Sequence, residues 1–237
     1  MAGADAVVHL AWKFQPTHRP DETWRTNAVG TRRLLAAVRR ARVPAVVVAS
    51  SVAAYTGVDP TTPATGSAAD RPVDESWETD GASPATYCRE KAYVERVLDA
   101  FEATTPGTRV VRLRPAFVFQ RSAASEQRRI FGGPLLRPAF LDRRFVPVLP
   151  VPQGLRMQAV HAGDVARAVA AAVERPVTGA FNLAGDGVLR RDDLGELLDA
   201  PTVPVPPRLV SAAVEAAWWA HLAPVPGALV SALLAVP

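Results

Sequence analysis

Tyr87 and Lys91 stand four residues apart in Ala85-Thr86-Tyr87-Cys88-Arg89-Glu90-Lys91, with Ser50-Ser51 upstream at the end of an apolar run. Positions i and i+4 share one face of a helix, so a helix here brings the ammonium toward the phenol. A phenol with an ordinary pKa near 10 is a poor acid–base group at neutral pH. Moving it to about 7 takes roughly 4 kcal/mol of preferential phenolate stabilisation, and a nearby cation supplies part of that. The Ser51 hydroxyl can then hydrogen-bond the oxygen that gains or loses a proton. The other reading of the spacing is an amphipathic helix on which a tyrosine and a lysine happen to be neighbours. Among 27 Lys+Arg the only lysines are Lys13 and Lys91. Position 91 keeps a compact ammonium in an arginine-rich chain, and a guanidinium is not its equivalent.

The elements that must carry these residues follow from hydrophobic patterning. Ala6 to Ala11 is a short, continuously apolar run, the pattern of a strand buried on both faces of a parallel sheet. Residues 22–42 read as a helix with Val29, Leu34, Leu35 and Val38 on one face. After Pro44, Ala45 to Ser51 is a second buried strand. Residues 56–83, rich in Gly, Pro, Thr and Asp, read as a loop, and Pro84 to Glu102 as the helix carrying Tyr87 and Lys91. Arg109 to Pro115 is a third strand, 162–174 a helix and Gly179 to Leu183 a fourth strand. Strands alternating with helices indicate parallel βαβ units.

Composition narrows the function classes. At 237 residues, 49% hydrophobic and 21% charged, the chain buries a substantial core and is not disordered. The net charge of +4 is spread over scattered arginines. The densest basic stretch, Arg121 through Arg128, Arg129 and Arg137 to Arg143 and Arg144, lacks the aromatic interleaving of a single-strand binder, so nucleic acid is not an expected partner. It suits a solvated surface or an anion-binding substrate loop. The lone Cys88 excludes an internal disulfide, and His9, His18, His161 and His221 show no close metal-ligand spacing, so no metal is expected. No basic segment followed by an apolar run opens the chain, which points to the cytoplasm. The apolar stretch from Leu209 to Val236 is broken by Pro224 and Pro226 and carries Glu215 and His221, so no stable membrane span is expected.

From about Gly3 to Leu198 the chain resembles the extended short-chain dehydrogenase/reductases, the NAD-dependent epimerase/dehydratase family. Asp5-Ala6-Val7-Val8-His9-Leu10-Ala11 resembles that family's fourth strand, whose end, here Leu10 and Ala11, passes under the nicotinamide-side ribose. Thr26-Asn27-Ala28-Val29-Gly30-Thr31 resembles the following helix, which implies a place for Asn27 near the cofactor. Ser50-Ser51-Val52-Ala53-Ala54-Tyr55 resembles the fifth strand and its catalytic hydroxyl. The offset of four residues from an aromatic selects Ser51 over Ser50, and Ser50 falls among the cofactor-side positions. Leu113-Arg114-Pro115-Ala116-Phe117-Val118-Phe119 resembles the turn beside the nicotinamide, with Pro115 and Ala116 on the cofactor. Val160 to Ala166 and Phe181 to Gly185 match later landmarks.

The resemblance implies NAD or NADP as cofactor and a small-molecule substrate, sugar-like or another hydroxyl or carbonyl compound. Tyr87 is then the general acid/base, with Lys91 lowering its pKa and holding the ribose and Ser51 orienting the substrate oxygen. Hydride passes to or from the nicotinamide, whose positive charge adds to the phenolate stabilisation. It also implies a truncated Rossmann-like doubly wound parallel sheet: a partial dinucleotide-binding domain over 1–115, completed by 161–184, and a substrate lobe over 116–160 and 188–237. Compared with the family, the chain opens at the fourth strand, without roughly sixty residues that hold the Gly-x-x-Gly-x-x-Gly turn for the pyrophosphate. On that reading the strand at 6–11 becomes an exposed edge, and self-association or a homodimer is expected. Phe117 stands where sugar-nucleotide epimerases often carry Asn. Met157 stands where they often carry Arg, with Arg156 adjacent, so Phe117 and Arg156 are the candidate substrate contacts. The competing reading is a catalytically silent fragment or binding module of the same fold. Trp218 and Trp219 are expected to pack the lobe, His9 and His161 to be structural, and Tyr55 to stand at the wall of the substrate pocket.

Overall fold

A computed structural model describes residues 3–14, 17–58, 72–81, 85–132 and 147–236. Four parallel strands form the central sheet: β1 (Val7–His9), β2 (Ala45–Ala49), β3 (Arg109–Pro115) and β7 (Gly179–Leu183), in the spatial order β1-β2-β3-β7. Val7 pairs with Val46, Val46 with Val110, and Leu113 with Phe181. The crossovers are α2 (Gly30–Ala41), α3 (Thr86–Thr104) and α5 (Ala162–Glu174). β2 is an uninterrupted run of small and β-branched residues, buried along nearly its whole length because helices cover both sheet faces. On one face Leu35, Val38, Val46, Val48, Val94 and Leu98 form the main core; on the other, Val47, Val111 and Leu113 meet Ala172 of α5.

This is the Rossmann-like parallel α/β architecture that the alternation of strands and helices predicts. The single helix expected over 22–42 is instead three segments: α1 (Pro20–Trp24), a π-helical turn (Arg25–Val29) and α2. The π turn holds buried Asn27, whose amide binds the backbone of Lys13 and the Glu90 carboxylate. Widened helical turns of this kind recur where a side chain must be re-aimed.

Two small parallel sheets lie beyond the central one. β4 (Phe117–Phe119) pairs with β6 (Ala159–His161), and β5 (Leu149–Pro152) with β8 (Thr202–Val205). Helices α4 (Ala124–Gly132), α6 (Arg191–Leu198), α7 (Pro207–Trp219) and α8 (Gly227–Ala235) complete the described chain. Hydrophobic alternation does not reveal these two-strand sheets, because each strand is only three or four residues long. Arg137, Arg143 and Arg144, much of the 56–83 loop and part of the 116–160 lobe lie outside the described residues. No described helix is long and apolar enough to cross a membrane. Trp218 is buried while Trp219 is exposed, so only the first of the pair packs the interior.

Candidate active site

The site lies at the C-terminal ends of β2 and β3, where a parallel sheet opens its crevice. β2 stops at Ala49, and the chain turns through Ser50 and Ser51 into a short helical turn over Val52–Ala54. Ser51 is extended and caps that turn by accepting from the Ala53 N–H at 3.1 Å. The Ser51 side chain is hydrogen-bonded to the Tyr87 phenol, which projects from the first turn of α3. Gly81 lets the preceding chain reach that turn: its φ is +77°, and a side chain there would run into the Cys88 carbonyl. Cys88 is buried against Ala53, Ala85 and Leu229 and acts as packing.

Ser51, Tyr87, Pro115, Ala116, Phe117 and Arg156 all line one cavity of about 760 Å³. Six of the residues singled out from sequence therefore meet there. Leu10 and Ala11 lie just beyond the end of β1 and are exposed. Ser50 faces the opposite way, donating to Glu95 Oε1 at 2.5 Å. The choice of Ser51 over Ser50 agrees with this geometry. Asn27 does not reach the cavity; it fixes the Lys13 backbone that follows β1 and is a positioning residue for that segment.

Lys91 differs from expectation. Its Nζ donates to the Ala49 carbonyl at 2.8 Å and lies 3.7 Å from the centre of the Trp12 ring. It stands 5.8 Å from the Tyr87 ring centre and is not bonded to the phenol. Burial drives its pKa down to about 7, against the pull of Glu95 and Glu90. Tyr87 moves the other way from the predicted lowering. Burial raises it to about 12, and the Ser51 bond only partly offsets this. Trp12 and Phe14 pack edge-on against Tyr87, at 6.1 and 4.9 Å between ring centres, and contribute to that burial.

Behind the site runs a buried ionic network that the sequence reading did not identify. Arg112 and Arg114 are two apart on β3 and so share a sheet face, while Glu95, Asp99 and Glu102 share a face of α3. Arg114 grips Glu95 with Nε on Oε1 at 3.0 Å and Nη2 on Oε2 at 3.1 Å. Arg112 reaches Asp99 at 2.6 Å and also contacts Glu95 and Glu102. Burial acts to raise the Glu95 pKa, but bonds from Arg114 and Ser50 and both guanidinium charges hold it below its ordinary value. Arg114 also donates to the Tyr55 hydroxyl at 3.1 Å, and that hydroxyl donates to Asn182 Oδ1 at 2.7 Å. Tyr55 is thus buried in the network and does not line the cavity, which corrects the wall position expected for it. Arginines inside an apolar strand were the signal for this network, since buried guanidinium groups need partners.

The two histidines are structural, as read from sequence. His9 Nε2 meets Thr31 Oγ1 at 2.9 Å, and burial, then the Lys91 charge, lowers its pKa. His161 caps α5 by accepting from the Gly163 N–H.

Parallel strands with crossover helices, and a Ser/Tyr/Lys set at their C-terminal ends, define the Rossmann-like α/β class. The chain belongs to the NAD-dependent epimerase/dehydratase family, whose model matches residues 1–184. Among solved structures, a short-chain dehydrogenase/reductase superfamily protein from Agrobacterium tumefaciens with bound NAD is similar. It shares 23% identity at a TM-score of 0.65, over 86% of this chain and 68% of that one. A UDP-glucose-4-epimerase from Stenotrophomonas maltophila with bound NAD and formylated UDP-arabinopyranose shares 22% at 0.63, over 85% and 64%. A UDP-glucose 4-epimerase from Thermus thermophilus in complex with NAD shares 21% at 0.60, over 98% and 76%. At these identities the likeness is one of fold, and the chain spans 64% of the Stenotrophomonas epimerase, just under two thirds. A search of the curated proteins gave no match.

Proposed function

We propose that Ser51, Tyr87 and Lys91 form the acid–base centre of an NAD(P)-dependent epimerase, dehydratase or reductase acting on a hydroxyl or carbonyl compound. The observation that carries this reading is the Ser51–Tyr87 hydrogen bond at the base of a cavity flanked by Pro115 and Ala116. With its pKa near 12, Tyr87 is fully protonated at neutral pH and ready to give a proton to a carbonyl oxygen that is becoming an alkoxide. Ser51 bonds the same oxygen and fixes it against the phenol. The reverse direction needs the phenolate, which at pH 7 lies on the order of 7 kcal/mol uphill for a group of pKa about 12. A cation brought closer lowers that cost, and Lys91, 5.8 Å from the ring centre, is the group we assign to it.

The residues present suit the nicotinamide end of NAD(P). Leu10 and Ala11 offer an open strand end, Pro115 and Ala116 a flat wall, and Lys91 an ammonium donor for the ribose hydroxyls. Trp12 covers that ammonium, and its buried Nε1 has no hydrogen-bond partner among the described residues. When bound, the nicotinamide supplies or accepts the hydride. We assign cofactor recognition to residues 1–115 with 161–184, substrate recognition to 116–160 and 188–237, and a cytoplasmic setting.

The test is NADH and NADPH binding by the purified chain, followed by nicotinamide fluorescence, then ketone-dependent loss of nicotinamide absorbance. Binding and reduction support the reading. A chain that binds neither nucleotide and reduces no ketone is the silent binding module instead.

A further inference from the structure

We propose that the outer face of α7 is a contact surface for a second copy of this chain, with the two α7 helices crossing antiparallel about a two-fold axis. This stands apart from the acid–base reading and from the edge at β1.

Exposure along α7 follows a helical period. Leu209, Ala212, Ala213, Ala216, Trp219 and Ala220 are exposed, whereas the residues between them, Glu215 and Trp218 included, are half-buried or buried. The exposed positions make one stripe, with Trp219 at its edge. The other side of the helix is taken by α8, where Gly227 sits so close to the Ser211 carbonyl that no side chain would fit. From Leu209 to Ala220 the exposed stripe carries no charge. Leu209 and Trp219 are 63% and 68% exposed. With the alanines they leave on the order of 500 Å² of apolar surface per copy, so two copies reach the roughly 1,000 Å² at which a specific contact begins.

Trp219 is held in place. Its indole Nε1 donates to Glu215 Oε1 at 2.9 Å, Glu215 Oε2 accepts from the Ala228 N–H at 3.3 Å, and the His18 ring lies 5.8 Å away. The polar atom of the indole is satisfied within the chain, so covering the rest of the ring costs little ordering.

The stripe reads alike from both ends, which favours a second copy as its occupant. Leu209 and Trp219 lie five residues either side of position 214, and Ala212 and Ala216 two either side. A two-fold axis there sets Leu209 against the second copy's Trp219, and Ala212 against its Ala216. Alanines at the crossing let the backbones approach, and the bulky pairs close the ends. Exposed Arg208 precedes Trp219 by 11 residues and so lies on the same flank. The two-fold brings its guanidinium to the second copy's Trp219 ring and toward the Glu215 that holds it, a cation–π contact between opposite charges. A lipid surface instead favours a helix with several Lys or Arg, and α7 has one Arg and one Glu.

A contact of this size is weak, so covalent trapping is the test. The one native cysteine, Cys88, is buried, and a cysteine placed on α7 reports alone. The two-fold leaves position 213 two residues, about 3 Å, along the axis from its mate, and position 209 ten residues, about 15 Å. With a short bismaleimide, Ala213→Cys should give several-fold more covalent dimer than Leu209→Cys, or than Leu197→Cys on exposed α6 surface. Adding Ala216→Glu puts like charges at the crossing and should cut that dimer at least about tenfold. Positions 213 and 216 are exposed, so the fold tolerates both changes. Equal trapping at 213 and 209 overturns the proposal, as does trapping at 213 that survives Ala216→Glu. So does an Ala213→Cys chain that takes up a monofunctional maleimide fully yet yields no dimer. Sedimentation with phosphatidylserine vesicles, lost in Trp219→Ser, would then name a lipid surface as the occupant.

Discussion

The Lys91 ammonium lies 3.7 Å from the centre of the Trp12 indole, which closes over it like a cover. The contact is a cation–π pair in a desolvated setting. Because the chain has just two lysines, acylation followed by peptide mapping reads each directly. Lys13, whose side chain is 37% exposed, should react freely, while Lys91, only 3% exposed, should be protected. Trp12→Ala should speed acylation at Lys91 by at least about tenfold, as local opening no longer has to displace the indole. Unchanged protection would show that Trp12 is not the cover.

Burial of Lys91 sets a pH dependence of stability. Its pKa falls from 10.5 unfolded to about 7 folded, so between those values the unfolded chain holds more protons. Stability therefore rises with pH across about 7 to 10. Above pH 10 the raised Tyr87 pKa acts in the opposite sense. Lys91→Met should flatten the rise, measured as the difference in urea midpoint between pH 7 and pH 9.5. An equal rise in wild type and variant would place the effect elsewhere.

Glu95 is the hub of the buried network, shared by Arg114, Arg112 and Ser50. Glu95→Leu leaves the buried Arg114 guanidinium without its carboxylate, and denaturant unfolding should show a loss of about 3–5 kcal/mol. A loss under about 1 kcal/mol would mean that solvent already screens the pair.

β1 pairs with β2 on one side and with no other described strand, and Val8 and Leu10 are 39% and 57% exposed. An open strand edge with apolar side chains recruits a second copy. Light scattering over a concentration series should show association, and Val8→Lys should suppress it. A wild-type monomer at every concentration would contradict this.

Much of this was legible beforehand because it rests on short-range patterns. β2 and β3 announce themselves as apolar runs, and Tyr87 and Lys91 fall on one helix face by spacing alone. What stayed hidden depends on long-range packing. Trp12 and Phe14 follow β1 by only a few residues, and nothing in their order says that they fold back over α3. Leu229 and Leu233 reach the cavity from the far end of the chain. Burial raises the Tyr87 pKa, so a neighbour-based argument from Lys91 had the wrong sign for the free protein.

The central claim is that Tyr87 exchanges a proton with the substrate oxygen. Its most direct test is reduction of a cyclic ketone by NADH or NADPH at saturating ketone, comparing wild type with Tyr87→Phe. The account predicts that the variant binds the ketone within about threefold of wild type but turns over at least about a hundredfold more slowly. Equal turnover by the two proteins would contradict it.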